Sequence, residues 1–391
     1  MTLNALPTSH GEASSLRFAE ILMARESVTP DDAGCQTFLI HRLSKLGFHC
    51  QQHVINGVSN LIARWGYGPV HFAFSGHTDV VPPGPLEKWN SAPFSPIVNN
   101  SVLYGRGAAD MKTGIAAMLA ATERAISDLN PSRVSYWWLI TSDEEGEAEY
   151  GSQWIMQWLV DAGVSLDMCI VGEPTASVRT GDTMKIGRRG SLSGTISVTG
   201  KQGHVAYPHS CDNAIHRASK IIEALTGYSW KAGSADFPGT SLQITHIDSG
   251  TFTDNLVPGV ARIEFNVRYD NDFTQQSLCR LLHALINDVD DTAEVRWSRP
   301  CHAYMSHPRD ERCLMRYCET AIKRATGRFP AISTSGGTSD GRFYASERTQ
   351  VVELGVPNRT IHQVNEHIHL SDLVTLEDIY TDILLQLAPY R

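Results

Sequence analysis

Between residues 71 and 171 the chain alternates short apolar runs with stretches of helical character, and this alternation most limits the folds open to it. Runs 71–75, 134–140 and 166–171 have strand length and stop at Gly76, at Thr141-Ser142-Asp143 and at Gly172. Between the first two, 113–126 is rich in Ala, Met and Leu and predicts a buried helix. Strands separated by helices need crossover connections, so an α/β layer with a largely parallel sheet is expected. Upstream, Pro30-Asp31-Asp32 predicts a helix start, since proline suits a first turn and acids suit the positive end of the dipole. Gly47 would end that helix, whose apolar stripe is Phe38, Leu39, Leu43 and Leu46.

The texture changes after Gly181. Residues 192–199 alternate apolar and polar as a half-buried strand does. Helix-like 212–225, strand-like 241–247 and 260–269, helical 274–289 and strand-like 293–297 follow. Two helices on a four-stranded antiparallel sheet fit this stretch. The chain then returns to α/β character, with a helix at 311–325, a strand at 349–354 and an amphipathic last helix capped by Ser371. A length of 391 residues already favours two domains. The expected organisation is a main domain split into 1–181 and 299–391, interrupted by a smaller α+β domain at 182–298.

Composition narrows the functional classes. Thirty-three Lys and Arg against 42 Asp and Glu give a net charge of -9, which opposes general binding to nucleic acid or anionic membranes. The most apolar run, 134–140, is far too short to span a bilayer. Residues 1–11 are polar and lack the apolar segment of a secretory leader, so a cytoplasmic location is expected. None of the eight cysteines forms a CxxC pair, which reads as buried thiols in a reducing compartment.

Residues able to carry chemistry sit where these runs end. His77 and Asp79 follow Gly76 at the end of a strand, where alternation would face them the same way and the carboxylate could orient the imidazole. Asp110 lies in a glycine-rich turn just before a helix. Asp143, Glu144 and Glu145 follow the 134–140 strand, and Glu173 follows the next one, at the edge where open α/β sheets build their sites. His362 lies in a loop near the C-terminus, and His204 and Tyr207 lie in a loop of the inserted segment. Taken singly, each has an ordinary explanation: a structural histidine, a helix cap, a solvated turn, a packed loop. As a set, two histidines and three carboxylates form a hard ligand group suited to zinc, manganese or cobalt, with one carboxylate bridging two ions and another left free as a base.

Over almost its whole length the chain resembles the di-zinc amidohydrolases, a family that includes carboxypeptidases, aminoacylases and acetylornithine deacetylase. The matching stretches are TPDDAGCQ (29–36), GHTDVVPPG (76–84), LYGRGAADMK (103–112), TSDEEG (141–146), VGEP (171–174), GRRGSLSG (187–194), QGHVAYPH (202–209), GGTSDGRF (336–343) and IHQVNE (361–366). GRRGS, QGHVAYPH and GGTSDGRF point to the family's desuccinylase branch. The resemblance implies a catalytic α/β domain interrupted by a dimerisation domain, and two zinc ions per subunit, with cobalt or manganese as substitutes. His77 and Glu173 would hold one ion, His362 and Glu145 the other, and Asp110 both. Asp79 would orient His77, and Glu144 would be the general base and acid. His204 would enter the partner subunit's site in a homodimer and steady the developing oxyanion, with Asn255 in support. Arg188, Ser191, Tyr207, Arg268, Gly337, Thr338, Arg342 and Asn358 match positions that hold the substrate.

The implied reaction is hydrolysis of the amide of N-succinyl-LL-2,6-diaminopimelate, a small-molecule N-acyl amino acid. Several positions depart from the branch: Thr113-Gly114 replaces Gly-Ser, Ile186 replaces Asn, Phe252 and Asp254 alter a GTGSNN loop, and residues 301–305, from Cys301, lack Pro-Phe-Leu. These changes leave the ligand set intact and bear on the acyl amino acid, which keeps a related deacylase as an alternative. A catalytically silent metal-binding scaffold is the alternative of another class. Glu144 argues against it, since a scaffold needs no base beside five ligands.

Overall fold

The computed structural model describes residues 14–250, 253–306 and 313–387. These fall into two compact units. The larger runs to Ile186 and resumes over Ser306–Ser333 and from Ser339; the smaller is Gly187–Met305 with Thr334–Thr338.

The larger unit is built on an eight-stranded sheet. Its order is His49–Ile55, Val58–Trp65, Val134–Thr141, Val70–His77, Met168–Val171, Gln350–Glu353, Thr183–Lys185 and Ala331–Ser333. The four strands from Val134–Thr141 to Gln350–Glu353 in that order are mutually parallel. Val134–Thr141 and Met168–Val171 are buried along their whole length, the unbroken pattern of strands covered on both faces. The hairpin of the first two strands adds an antiparallel edge. Helix Lys112–Ala125 packs against Ser14–Met23 and Leu370–Gln386, and its Ala-rich sequence lets almost its whole circumference be buried. Register sets His77 opposite Thr141 and Ser75 opposite Val171, so these parallel strands end along one edge.

Some elements begin elsewhere than the sequence pattern suggests. The helix expected from Pro30 starts at Cys35, because residues 29–34 form a turn and the Asp32 carboxylate accepts the Gln36 amide from outside the helix. The last helix is preceded by His369, not Ser371; Ser371 lies inside it, where its carbonyl accepts the Thr375 hydroxyl. The strand from Val70 ends at His77, so irregular chain beyond the strand, not strand alternation, sets Asp79. The helix expected over 311–325 is seen as Leu314–Thr326; its first two expected residues lie outside the described ones.

In the smaller unit a four-stranded antiparallel sheet runs Ser241–Asp248, Val260–Tyr269, Gly190–Thr199, Glu294–Cys301. Helices Ala214–Gly227 and Gln275–Asn287 pack on it. Leu192, Ile196, Ile221, Ile263, Phe265, Leu278 and Leu282 form a core of its own. The Thr274 hydroxyl accepts the Ser277 amide while the Ser277 hydroxyl accepts the Thr274 amide, a reciprocal cap that fixes where the second helix starts.

All eight cysteines are free thiols, with Cys35, Cys169, Cys313 and Cys318 buried. Among the described residues no helix is long and apolar enough to cross a membrane.

Helix Lys112–Ala125 approaches the sheet edge closely at Gly114, where a Cβ would lie 2.5 Å from the Gly172 carbonyl oxygen. Gly114→Ala must push backbone from backbone, an overpacking cost of about 1–3 kcal/mol. The expected outcome is a lower urea midpoint with an unchanged slope. An unchanged midpoint would mean that helix and turn part freely.

Candidate metal centre

Six of the residues singled out by sequence gather at the carboxyl edge of the parallel strands. His77 closes Val70–His77; Asp110 precedes helix Lys112–Ala125; Glu144 and Glu145 follow Val134–Thr141; Glu173 follows Met168–Val171. The loop carrying His362 follows Gln350–Glu353. Asp110 is no helix cap, since Met111 occupies that position.

Two groups result. His77, Asp110 and Glu173 form one, and Asp110, Glu145 and His362 the other, with ligand atoms within 4.8 Å of one another in each. Asp110 is shared between them through different oxygens. Its Oδ1 lies 3.2 Å from His77 Nε2, and its Oδ2 lies 3.6 Å from His362 Nε2. Glu173 Oε1 lies 3.4 Å from His77 Nε2, and Glu145 Oε1 lies 3.1 Å from His362 Nε2.

The hydrogen-bond pattern tests whether cations fit. His77 Nδ1–H donates to the Asp79 carbonyl at 2.9 Å, which leaves the lone pair on Nε2. That lone pair faces oxygens of Asp110 and Glu173, and Glu173 Oε1 is buried without a hydrogen bond. Electron pairs turned on one another in a buried place suit a divalent cation. The Asp79 side chain also acts on the neighbouring turn, where its two oxygens accept the amides of Glu144 at 3.4 Å and Glu145 at 3.1 Å. Its carboxylate therefore holds the acidic turn, while the imidazole is oriented by the Asp79 carbonyl and not, as the sequence suggested, by the carboxylate, whose Oδ1 stays 3.5 Å from Nδ1.

Electrostatics reflect the crowding. Desolvation, with repulsion from Asp110, raises the Glu173 carboxyl to about 7 despite the His77 contact. Burial, Glu173 and Asp340 push Glu144 well above the usual carboxylate range. Burial raises Glu145 too, against the pull of His362. Burial works against ionising Asp110, but the two imidazoles outweigh it and hold that carboxyl low. His362, bonded to Asp110 and Glu145, rises to about 10. Burial lowers His77, yet Asp110, Asp79 and Glu173 more than compensate.

The remaining candidates fall into separate places. In the larger unit, Arg342 lies in the short helix Gly341–Tyr344, its Nη1 donating to the Ser339 carbonyl at 3.2 Å, and Asn358 is half-buried after the Gln350–Glu353 strand. In the smaller unit, Ser191 and Arg268 stand opposite each other on neighbouring strands. Arg188 is buried, its Nη1 donating to the Ser335 carbonyl at 3.4 Å; Gly337 and Thr338 lie just beyond, in Thr334–Thr338. His204, Tyr207 and Asn255 form one exposed cluster: the His204 and Tyr207 rings are 5.7 Å apart, and the Asn255 carbonyl accepts the Val205 amide. Ile186 is buried, Asp254 is exposed, and the Cys301 carbonyl accepts the Tyr269 hydroxyl; Phe252 lies outside the described residues.

Sequence reasoning gave no role to two buried carboxylates that it quoted inside motifs. Asp340 is the acid of GGTSDGRF, with Oδ1 unpaired and its charge felt by Glu144. Glu366 ends IHQVNE. An acid among glycines or at the end of a ligand-bearing loop was the available signal.

A shared aspartate between two histidine–carboxylate groups, on the carboxyl edge of a parallel sheet, defines a hydrolase with a candidate two-cation centre. The chain belongs to peptidase family M20/M25/M40, whose sequence profile matches residues 73–386. It is 70% identical over 378 residues to succinyl-diaminopimelate desuccinylase 1 of Alteromonas mediterranea, covering 96% of this chain and 97% of that protein. It is 46% identical over 372 residues to succinyl-diaminopimelate desuccinylase 2 of Shewanella loihica, covering 94% and 99%. Its fold matches that of an M20 family metallo-carboxypeptidase from Sulfolobus solfataricus with a TM-score of 0.80 at 17% identity, covering 96% and 99%.

Because these carboxylates repel one another when no cation is near, ligation must stabilise the folded state. Zinc at 100 times its dissociation constant is expected to add about 2.7 kcal/mol per site, read as a rise in melting temperature that chelator reverses. A melting temperature indifferent to zinc and to chelator would exclude cation binding here.

Proposed function

We propose that the chain hydrolyses the amide bond of N-succinyl-LL-2,6-diaminopimelate, giving succinate and LL-2,6-diaminopimelate. The observation that carries the reading is Asp110, which turns one oxygen to each histidine group. The two relatives named as desuccinylases support the substrate, and neither their names nor the free base Glu144 favours a silent scaffold.

In this reading His77 and Glu173 hold one zinc ion, His362 and Glu145 the second, and Asp110 both, with cobalt or manganese able to substitute. When bound, the ions supply Lewis-acid polarisation of the scissile carbonyl and of the attacking water. Glu144 belongs to neither ligand group, so its carboxylate is free to take the water's proton and return it to the departing nitrogen. Asp79 keeps the Glu144-Glu145 turn in place through the two amides that its carboxylate accepts. Arg188, Arg268 and Arg342 offer planar forks for substrate carboxylates, with Ser191, Tyr207, Gly337, Thr338 and Asn358 completing the contacts. A cytoplasmic setting accords with eight unpaired thiols.

Glu144→Gln is expected to keep zinc content and fold while lowering turnover of the succinylated substrate at least 100-fold, since only proton transfer is lost. Near-normal release of diaminopimelate by this variant would assign the base elsewhere. Hydrolysis of other N-acyl amino acids, but not the succinylated one, would overturn the substrate.

We also propose a homodimer in which His204 of one chain serves the metal centre of the other. Support comes from the smaller unit, where His204 and Tyr207 are exposed and where, among the described residues, nothing pairs with the outer edge of strand Ser241–Asp248 beside exposed Ile247. Inactive His204→Ala chains mixed with inactive Glu144→Gln chains should regain activity, because one site of each mixed dimer then carries neither lesion. No recovery in verified mixed dimers would place His204 in its own chain's chemistry or in none.

A further inference from the structure

We infer that Glu366 and Arg106 form a buried clamp that sets the spacing of the metal ligands, making both positioning residues for the centre. The inference rests on Asp110, His362 and His77 being ligands and extends that reading to residues that touch no ion.

Glu366 uses every direction open to a carboxylate. Oε2 accepts Arg106 Nη1 at 2.7 Å and the Gly107 amide at 3.0 Å. Oε1 accepts the Ala109 amide at 2.7 Å and the Asp110 amide at 3.0 Å. Its own carbonyl accepts the Gly105 amide at 3.0 Å. One side chain thus gathers the loop 105–110, and its last bond is to the amide of the shared aspartate itself. Rotation of that peptide would move Asp110 Oδ1 and Oδ2 relative to both histidines.

Arg106 extends the grip. Its Nη1 also donates to the Gln363 carbonyl at 3.3 Å, and its Nη2 donates to the Pro82 carbonyl at 3.2 Å. Its guanidinium lies over the Trp89 ring, 5.4 Å from the centroid. Pro82 follows His77 and Asp79 in sequence, and Gln363 follows His362. The pair therefore ties together three loops that carry three of the five ligands.

The His362 loop needs such a tie. His362 and Asn365 both adopt left-handed backbone at φ 60, which costs energy in residues with a side chain and persists only where surroundings enforce it. Both clamp side chains are buried, 2% and 1% exposed, so each charge depends on the other. Only a carboxylate satisfies the four donors. Glutamine in this place would turn its NH2 towards two of them.

The test compares wild type with Glu366→Gln and Arg106→Lys. Readouts are zinc dissociation constants by chelator competition, visible absorption of the cobalt-loaded protein, and melting of the metal-free chain. Loss of outer partners of this kind costs about 10- to 100-fold in metal affinity. Glu366→Gln is expected to weaken zinc binding by that factor and to change the cobalt spectrum, with KM for the amide substrate moving less than twofold. Arg106→Lys keeps a cation on Glu366 but cannot reach both Pro82 and Gln363. It should lose less affinity, and it decides the question if Glu366→Gln does not fold. Lower melting of the metal-free chain with unchanged zinc affinity and cobalt spectrum would overturn the clamp as a positioning device. A wild type that binds no zinc would instead overturn the ligand reading beneath it.

Discussion

Acidic side chains are forced together at one edge of the large sheet, and their repulsion governs what surrounds them. Asp79, Asp110, Glu144, Glu145, Glu173 and Asp340 feel one another's charge there, with two imidazoles and, for Asp340, the Arg342 guanidinium as the opposing groups. Such a cluster keeps its shape only if backbone donors, cations and rigid elements hold each member separately. The parallel strands provide the rigidity, since each acidic turn starts from a fully buried strand. Asp79 and Glu366 provide the backbone anchoring, one for the Glu144-Glu145 turn and one for the loop 105–110. The helix behind the site adds to this by closing on the Gly172 turn without an intervening side chain.

Much of this was legible in the sequence because strand ends are visible as strand ends. An apolar run that stops on glycine or acids marks both an element and the edge where chemistry collects. That is why His77, Glu144, Glu145 and Glu173 could be picked out before any geometry. His362 was harder, for its loop has no apolar periodicity, and its place beside Asp110 depends on contacts across more than two hundred residues. Glu366 was named only as the last letter of a motif, because nothing local reveals that its four donors lie in a distant loop. Helix starts misled for a related reason. Asp32 carries the marks of a first-turn residue, but it reaches forward to the Gln36 amide from a turn and is bound at the same time to the Thr78 hydroxyl. A sequence pattern does not show which of two partners a short acid will choose.

The smaller unit follows a different logic, with its own sheet, two helices and a closed apolar core. Alternation in 192–199 was readable because one face of that strand packs and the other does not. Its polar residues are less so. Arg188 is buried near Gly336, where a Cβ would come within 2.4 Å of its Nη1, so a glycine far along the chain makes room for that guanidinium. Ser191 and Arg268 face each other through register, which the sequence leaves open.

Gln350–Glu353 follows the other seven strands of the large sheet in the chain, yet it lies inside that sheet, between Met168–Val171 and Thr183–Lys185. Until it emerges from the ribosome, the growing chain carries a parallel edge of bare amides and carbonyls at Met168–Val171, with no neighbour to cover it. All of Gly187–Met305 is translated during that interval. A nascent chain with an exposed apolar edge is a substrate for chaperones and a template for mispairing. An inserted unit with a core of its own would shorten the stretch of loose polypeptide during the wait. The loop bearing His362 follows the late strand directly, so the second ligand group is complete only after the sheet itself has closed.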